Sequence, residues 1–429
     1  MRTRGWKMAI TAVALATTAA ACGGGDSGGV SNGDASSESG GSASNASAGD
    51  LLIWTGTGPQ GEAIQQIAEG FGEENGVNVE VELIPGTDLQ ANFITASQGN
   101  NAPDVVFGAH DWIGNLVQNG SIDPIQLPAT VKDDLQPKAV EAMTYNGQVY
   151  GMPFTFNNLV LYRNTALAPD APATVEDMVA AGKALQADGK VAEVVAWPVG
   201  QTGNPYFIQP LYTAGGGYLF GTGTDGGLDK ADVGVAKPEA VASYQKIGAL
   251  GEKGENVLKR SISTDNHTAL FTEGKSAYMV SGPWDLPTVD KAGIEYQISA
   301  IPGFAGGAPA TPFITVDGTY VASKGKNKTL AQEFVTNYWS RSDIQTSYQE
   351  KAQVVPASQG VLEAIRGSQP RVAQSVDIGA ANGQIMPSFP FMAGVFDSLG
   401  KAEAAVVSGA DPAATIAGAA TAIQDVAGG

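Results

Sequence analysis

The fold of this chain is decided by residues 51–84, which read LLIWTGTGPQGEAIQQIAEGFGEENGVNVEVELI. The first four, LLIW, form a short apolar run that is typical of a buried strand. Apolar residues then recur at helical spacing, at Ile64, Ile67, Ala68 and Phe71. From Val77 to Leu83 apolar and polar residues alternate, as in a half-buried strand. The stretch therefore predicts strand, helix, strand.

The same pattern continues on the C-terminal side of this stretch. Leu89, Phe93 and Ile94 indicate a second helix, and the run 105–107, VVF, indicates a third strand. Alternating strands and helices predict a parallel sheet with helices on its faces, with ligands at the carboxyl ends of the strands. Further strand and helix signals lie at 149–154, 159–162, 178–185, 194–197 and 276–280, and helices dominate the last third, at 330–339 and from Asp411-Pro412 onward.

The first 49 residues have a different composition. Arg2, Arg4 and Lys7 precede an apolar run over 8–21, which predicts a secretory signal peptide over residues 1–21. Cys22, the only cysteine, follows directly, as in the lipid-attachment site of bacterial lipoproteins; ordinary secretion with Cys22 as a free thiol is the alternative. Residues 22–49 are almost wholly Gly, Ser, Ala, Asn and Asp, which predicts a disordered tether. We therefore expect a lipoprotein on the outer face of the bacterial cell membrane.

Charge and composition exclude several classes of function. The chain has 24 Lys and Arg against 43 Asp and Glu, a net charge of −19, whereas nucleic-acid binders need basic patches. Its two histidines, His110 and His267, do not form a metal-binding pair, and the single cysteine lies in the predicted anchor. We expect no metal, no cofactor, no nucleic acid and no catalytic residues, and we expect a monomer.

One motif imitates a dinucleotide site. Residues 56–61, GTGPQG, match G-x-G-x-x-G between a strand and a helix. An exported protein has little access to NAD, so we interpret the glycines as permitting a tight turn, with Pro59 at the helix start. The loop, including Gln60, is still expected to face a ligand, because a helix amino end offers free N–H donors.

A series of short landmarks, in order, resembles one known family. They are LIW at 52–54, APDVVF at 102–107 with AHD at 109–111, YNG at 145–147, LYRN at 161–164, NPYF at 204–207, AGGGY at 214–218, GPW at 282–284 and QIMP at 384–387. Together they resemble the extracellular solute-binding proteins of ABC sugar importers, in particular those that bind maltose and maltodextrins. The resemblance runs from about residue 51 to near the C-terminus.

This resemblance implies a two-lobed α/β fold of the periplasmic-binding-protein type (type II). Parallel-rich sheets flanked by helices would form each lobe, with a hinge between them. The first lobe would hold residues 50–155 and 319–364, and the second 156–312 and 368–429. The chain would cross between lobes near 154–157, 314–318 and 365–367.

The resemblance also implies a set of ligand-binding residues in the cleft. Tyr206, Trp284 and Phe396 stand where the family places stacking aromatics, Met386 matches a further pocket contact, and Asp111 matches an acid that accepts sugar hydroxyls. Trp112, Asn157, Asn204, Asp397 and Gln60 complete the expected set. Gly108 replaces a tryptophan of the family pattern, and we expect it to leave room, with Trp112 as a displaced platform.

The expected function is capture of a neutral saccharide, of the maltose or malto-oligosaccharide type, for delivery to a membrane permease. Aromatic rings cover the apolar face of a pyranose and fixed polar groups satisfy its hydroxyl rim. Two alternatives stay open at this point. A secreted carbohydrate-active enzyme needs only two carboxylates, and 43 acids supply many pairs. A binding protein for a non-sugar solute is the other.

Overall fold

The computed structural model describes residues 50–224 and 227–428, so the predicted signal peptide, Cys22 and the tether lie outside the described residues. The strands are β1 (Asp50–Gly56), β2 (Asn78–Ile84), β3 (Val105–Ala109), β4 (Thr144–Tyr145), β5 (Gln148–Val149), β6 (Gly151–Pro153), β7 (Asn157–Asn158), β8 (Val160–Asn164), β9 (Phe220–Thr222), β10 (Leu228–Val233), β11 (Tyr278–Ser281), β12 (Tyr296–Ser299), β13 (Phe313–Thr315), β14 (Asp317–Val321) and β15 (Gln384–Ile385).

The α-helices are α1 (Pro59–Asn75), α2 (Gly86–Gln98), α3 (Ile113–Gln118), α4 (Ala129–Asp134), α5 (Pro137–Ala142), α6 (Val175–Ala187), α7 (Pro205–Thr213), α8 (Pro238–Leu250), α9 (His267–Thr272), α10 (Leu286–Ala292), α11 (Lys328–Gln332), α12 (Ser342–Ala352), α13 (Gln359–Ile365), α14 (Pro370–Asn382), α15 (Met392–Val407) and α16 (Pro412–Gly428). Short 3₁₀ turns cover His110–Trp112 and Pro283–Asp285, and a π-helical turn covers Glu333–Tyr338.

The opening strand–helix–strand–helix–strand order is confirmed, and β1 pairs in parallel with both β2 and β3. The glycines of the 56–61 loop make the turn into α1 possible. Gly58 has a φ of 96°, which favours glycine, and a Cβ on Gly61 would lie 1.9 Å from the Gly56 carbonyl oxygen. Pro59 occupies the first helical turn. The motif is thus a tight turn that brings the amino end of α1 to the edge of the sheet.

The first sheet has the order β2-β1-β3-β14-β6. Strand β14 runs antiparallel to both of its neighbours, β3 and β6. It returns to this lobe after about 160 residues in the second lobe. The side chains of β3, β14 and the helices around them form one large core, whose aromatic members include Phe71, Phe93, Phe107, Phe154, Phe334 and Trp339.

The second lobe is built around β8, which pairs antiparallel with β11 and β12. Its two faces bury separate clusters, one containing Leu161 and Trp197 and the other containing Tyr162 and Phe271. The segment 194–197, which the sequence marks as a strand or helix signal, carries one isolated bridge, the parallel bridge from Ala196 to Met279. Parallel pairing in named strands is otherwise confined to β1 with its neighbours and β13 with β15.

A small sheet lies where the chain passes between the lobes. Strand β13 pairs antiparallel with β7 and parallel with β15, so three distant segments meet there. Phe156 and Val316, which flank this sheet, pack into the first core, whereas Phe313 and Met386 pack into the second. The chain is therefore a two-lobed α/β protein; the residue at which each lobe begins and ends stays a prediction. None of the helices in the described part of the chain has both the length and the apolar character that a transmembrane helix needs.

Candidate functional site

The first lobe presents residues 108–112, at the carboxyl end of β3, as one wall of the candidate site. The indole of Trp112 covers Gly108: a Cβ on that glycine would lie 2.2 Å from Cζ3 of the ring. Trp112 therefore fills the room that Gly108 was expected to leave open. Asp111 and Trp112 are both half-buried, and they share one 3₁₀ turn with the buried His110.

His110 ties this wall to the second lobe. Its Nδ1 accepts a hydrogen bond from the backbone N–H of Val316, at 3.1 Å. The opposite ring nitrogen, Nε2, lies 2.9 Å from the carbonyl oxygen of Met386. An accepting Nδ1 leaves the proton on Nε2, so we assign the neutral tautomer that donates to Met386. Both ring nitrogens are engaged, and His110 acts as a fixed link beside Asp111.

The second lobe presents a row of four aromatic rings as the opposite wall. Trp284 lies 6.4 Å from Tyr206 between ring centroids, Tyr206 lies 6.3 Å from Phe313, and Phe313 lies 6.4 Å from Phe396. The last two pairs are stacked, with interplanar angles of 29° and 28°. The structure thus brings Tyr206, Trp284 and Phe396 onto one surface, with Phe313 completing the row.

Trp284 stands out from this row toward solvent. It is 44% exposed although it is a large aromatic residue. Its ring covers Gly282, where a Cβ would lie 2.0 Å from Cζ3 of the indole. An exposed, flat indole supported from behind by a glycine backbone is suited to stacking on a ligand.

A cavity of about 160 Å³, here called the front cavity, lies between the two walls. The first lobe contributes Gln90, Asp111, Trp112 and Asn115, and the second contributes residues that include Met386, Phe389 and Phe396. The predicted residues Asp111, Trp112, Met386 and Phe396 therefore meet in one place. Carboxylate and amide groups face aromatic and aliphatic groups across it, so the cavity offers both hydrogen bonds and apolar surface.

A second space of about 170 Å³, here called the rear pocket, lies on the first-lobe side of Trp112. Trp112 lines both spaces. The rear pocket is lined on its polar side by Thr55, Thr57, Gln60, Asp317 and Tyr348. The buried hydroxyl of Tyr348 has no hydrogen-bond partner among the described residues. Gln60 and Gly61, at the amino end of α1, line this pocket, and contact of this loop with a ligand stays a prediction.

Two carboxyl groups of the first lobe lie beside Tyr206. Burial raises the pKa of Asp111, and burial together with the nearby Asp111 raises the pKa of Asp317. Burial also raises the pKa of the Tyr206 hydroxyl, and the carboxyl groups of Asp317 and Asp111 add to that increase. The aromatic row and the acids thus belong to one electrostatic environment. The carboxyl groups there can accept hydrogen bonds from the hydroxyl groups of a ligand.

Asn157 belongs to a short hydrogen-bonded chain at the crossing between lobes. Its side-chain amide donates to the Thr155 hydroxyl at 3.3 Å, and that hydroxyl donates to Oδ2 of Asp317 at 2.7 Å. The backbone N–H of Asp317 also donates to the Thr155 oxygen, at 2.9 Å. Asp317 also lines the rear pocket.

Two predicted residues lie at the margins of this arrangement. Asn204 is half-buried and directly precedes α7, two residues before Tyr206. Asp397 is exposed on α15 and pairs with Lys401 one turn along the same helix, at 2.6 Å. It faces away from Phe396, its neighbour in the chain, because successive helical residues are about 100° apart.

Sequence reasoning missed Asp317, Phe313 and His110 as site residues. The run FITVD at 313–317 marks a strand that ends in an acid at a predicted crossing, which is a usable signal for Asp317. Phe313 looks like an ordinary core residue and is nearly fully buried. For His110, sequence spacing excluded a metal pair but did not suggest a partner 276 residues away.

Comparisons with known proteins agree with this geometry. The family described as bacterial extracellular solute-binding protein matches residues 66–376. This match covers more than half of the chain. The chain belongs to the bacterial extracellular solute-binding proteins. Members of this family are binding proteins, so the expectation that the chain is not an enzyme is confirmed at the level of the family.

Three relatives of this solute-binding protein carry informative names. The galactooligosaccharide-binding protein of Bacillus subtilis is 26% identical over 377 residues, 85% of this chain and 86% of that protein. The maltooligosaccharide ABC transporter solute-binding lipoprotein of Streptococcus pneumoniae is 26% identical over 361 residues, 82% of this chain and 83% of that protein. The maltotriose-binding protein of Pyrococcus abyssi is 25% identical over 360 residues, 81% of this chain and 75% of that protein.

Proposed function

We propose that this solute-binding protein captures a neutral oligosaccharide of the malto-oligosaccharide type in the cleft between its lobes and delivers it to an ABC importer. The observation that carries the proposal is the aromatic row of Trp284, Tyr206 and Phe396, backed by the buried Phe313, together with the cavity that Phe396 shares with Asp111. Flat rings cover the C–H face of a pyranose, and carboxylates and amides accept or donate to its hydroxyl groups.

The two spaces beside Trp112 support a ligand longer than one sugar. The front cavity measures about 160 Å³ and the rear pocket about 170 Å³, and Trp112 lines both. A sugar unit in either space would contact Trp112. A chain of hexoses bound along the cleft would use both spaces and the exposed face of Trp284. The names of the relatives, which include maltooligosaccharide and maltotriose binding, point the same way.

Capture would proceed by closure of the two lobes about the crossing strands. Trp284 and Tyr206 belong to the second lobe, and Asp111, Trp112 and Gln60 to the first. A ligand that contacts both sets favours the closed state, because only there are both sets of contacts made. The permease would then recognise the closed surface. Asn157 and Asn204 would contribute amide hydrogen bonds to sugar hydroxyls near the crossing.

The anchor is part of this proposal. Cys22 would carry lipid after removal of residues 1–21, and residues 22–49 would tether the two-lobed body to the outer face of the membrane. Lipid attachment is tested by growing cells with an alkyne fatty acid and detecting label on the protein. The label should be present on the natural chain and absent from Cys22→Ser. Equal labelling of both would contradict the anchor without affecting sugar capture.

Ligand identity is tested with purified protein and a panel of solutes. Maltose, maltotriose, maltotetraose, a galacto-oligosaccharide, a short peptide and a polyamine would each be titrated by calorimetry and by thermal unfolding. A ligand of the folded state stabilises by about 2.7 kcal/mol at 100 times its Kd. We expect malto-oligosaccharides to raise the midpoint and the peptide and polyamine to leave it unchanged. Stabilisation by galacto-oligosaccharide alone would revise the sugar, and shortening of any oligosaccharide during incubation would contradict a binding role.

A further inference from the structure

His267 lies close to the two segments of the second lobe that carry Trp284 and Tyr206. It is only 3% exposed. On one side its Nε2 lies 3.3 Å from Oδ2 of Asp285, the residue after Trp284. On the other side its ring packs edge-on against Phe207, with centroids 5.9 Å apart, and Phe207 packs against Tyr206 at 5.6 Å. One buried imidazole is therefore in contact with the neighbours of both Trp284 and Tyr206.

Three side chains hold the turn that carries Trp284, namely those of Tyr162, Ser281 and His267. Tyr162 donates its hydroxyl to the carbonyl oxygen of Gly282 at 2.7 Å. Ser281 donates to Oδ2 of Asp285 at 2.5 Å, and His267 approaches both, since its Nε2 is also 3.2 Å from the Ser281 oxygen. Burial works to raise the pKa of Asp285, but the hydrogen bonds from His267 and Ser281 hold it below its ordinary value. The carboxylate is thus ionised and fixed in direction.

We propose that His267 is a positioning residue that sets the orientation of Trp284 against Tyr206, and through them the affinity for the ligand. The inference rests on the proposed capture of a sugar at these rings. An exposed indole has several staggered side-chain orientations. The 3₁₀ turn restricts them only if its ends are fixed, and Asp285 is the end that His267 holds. Because binding costs less when the ring is already oriented, loss of His267 lowers affinity without removing any ligand contact.

The Ser281, His267 and Asp285 cluster is not a hydrolase triad. In such a triad the histidine stands between the serine and the acid. Here Ser281 donates directly to the same carboxylate oxygen that His267 approaches. Ser281 is fully buried, so no substrate carbonyl reaches it. The three groups are therefore arranged to hold a turn.

The test compares His267→Leu with His267→Gln. Leucine keeps the apolar bulk and loses the donor, whereas the Gln side-chain amide places an N–H near the position of Nε2. We expect His267→Leu to weaken malto-oligosaccharide binding about tenfold and His267→Gln to stay within about threefold of the natural protein. Ile247→Ala, which removes a buried side chain of α8 elsewhere in the second lobe, is the matched control. It should lower the thermal midpoint and leave affinity within twofold.

A second readout does not depend on any ligand. The emission of Trp284 in the unliganded protein is obtained by subtracting the spectrum of the matching Trp284→Phe variant, and its quenching by acrylamide is measured. In His267→Leu the emission should change and quenching should rise, whereas in His267→Gln both should match the natural protein. If no sugar binds the natural protein, the proposed function fails and this readout alone decides the inference.

Two outcomes would overturn the positioning role. The first is an unchanged Trp284 emission and quenching in His267→Leu. The second is a loss of affinity in His267→Leu no larger than in Ile247→Ala at equal loss of thermal stability. If His267→Leu does not fold, the decision rests on Asp285→Asn, which keeps the size of the side chain; its Trp284 emission must then differ from that of the natural protein.

Discussion

The two walls of the cleft present a tryptophan in the same way but support it differently. Trp112 covers Gly108 in the first lobe, and Trp284 covers Gly282 in the second. Trp112 is half-buried between two cavities, whereas Trp284 is 44% exposed. The first ring is thus part of the packing of its lobe, whereas the second is supported by its own turn and by Tyr206 alone among the aromatic rings of the row. A ring that packs contributes to both stability and binding, and a ring that projects contributes to binding alone.

The acidic residues behind the two walls also differ, in their pKa values and in their hydrogen-bond partners. In the first lobe Asp111 and Asp317 have pKa values raised by burial, and no cation pairs with Asp317 among the described residues. In the second lobe Asp285 has a lowered pKa, because His267 and Ser281 donate to it. The first pair lines the two cavities, where the hydroxyl groups of a sugar could donate to it. Asp285 is already satisfied and supports structure.

The largest effect is expected from removing the projecting ring. Trp284→Ala should weaken malto-oligosaccharide binding by about 2 kcal/mol or more, roughly 30-fold, because a well-placed aromatic carries much of an interface. The midpoint of thermal unfolding without ligand should stay nearly unchanged. Trp112→Ala should lower both affinity and midpoint, because its ring fills space inside the first lobe. Calorimetry and thermal unfolding measure the two quantities.

The matched control for these tryptophan variants is Asp397→Ala. Its carboxylate pairs with Lys401 on the surface of α15, and such exposed pairs contribute little. Affinity should stay within about twofold and stability within about 0.5 kcal/mol. Equal stability losses in Trp112→Ala and Trp284→Ala would remove the difference between the walls. A large loss of affinity in Asp397→Ala would show that Asp397 contributes to ligand binding, as the sequence predicts.

A smaller and more discriminating effect is expected at the two glycines. An added methyl group would lie 2.2 Å from the Trp112 ring in Gly108→Ala and 2.0 Å from the Trp284 ring in Gly282→Ala. The Trp112 ring has packed neighbours and resists displacement, so Gly108→Ala should cost about 1–3 kcal/mol of stability. The Trp284 ring can swing into solvent, so Gly282→Ala should lose affinity with little loss of stability. Urea unfolding measures the stability of the two variants, and calorimetry measures their affinity. A stability loss in Gly282→Ala as large as in Gly108→Ala would contradict the expected difference.

The smallest effects are expected from the acids, with opposite signs. Ionised Asp317 destabilises the folded chain because its pKa is raised, so Asp317→Asn should raise the thermal midpoint at pH 7. The natural protein should regain that difference as the pH falls through the raised pKa toward 3.8. Asp285→Asn should lower the midpoint at pH 7, because the contribution of Asp285 is present above 3.8 and is lost below it. Ligand-free unfolding between pH 3 and pH 8 measures both, and equal signs would contradict the contrast.

The sequence reached the fold of the first lobe with little ambiguity. The strand at 51–54 is marked by a short apolar run, and the helix around Phe71 and the strand at 77–83 are marked by their own periods. Such patterns are local properties of the chain. The tight turn at 56–61 was also predictable from its glycines, because a turn depends on residues that are neighbours in the chain. The segment at 194–197 was less readable, since short apolar runs do not distinguish a strand from an irregular buried segment.

The candidate site was predictable only in part. The aromatic residues and Asp111 came from ordered landmarks, and the structure places Tyr206, Trp284 and Phe396 on one surface. Asp317 and Phe313 were missed, because their role depends on strands that pair across more than 150 residues. The packing of Trp112 on Gly108 was missed as well. Spacing alone does not say where a side chain turns at the end of a strand.

By itself the sequence determined the order of strands and helices, the acidic balance, and the aromatic and acidic residues available for a cleft, since these depend on periodicity and residue type. The tertiary structure decided which of them face one another. Asp111 and Asp317 share one environment, and His110 reaches Met386, because β3 and β14 pair in the first sheet and the chain returns to the crossing. Contacts of that kind depend on distance in space, which the distance along the chain does not specify.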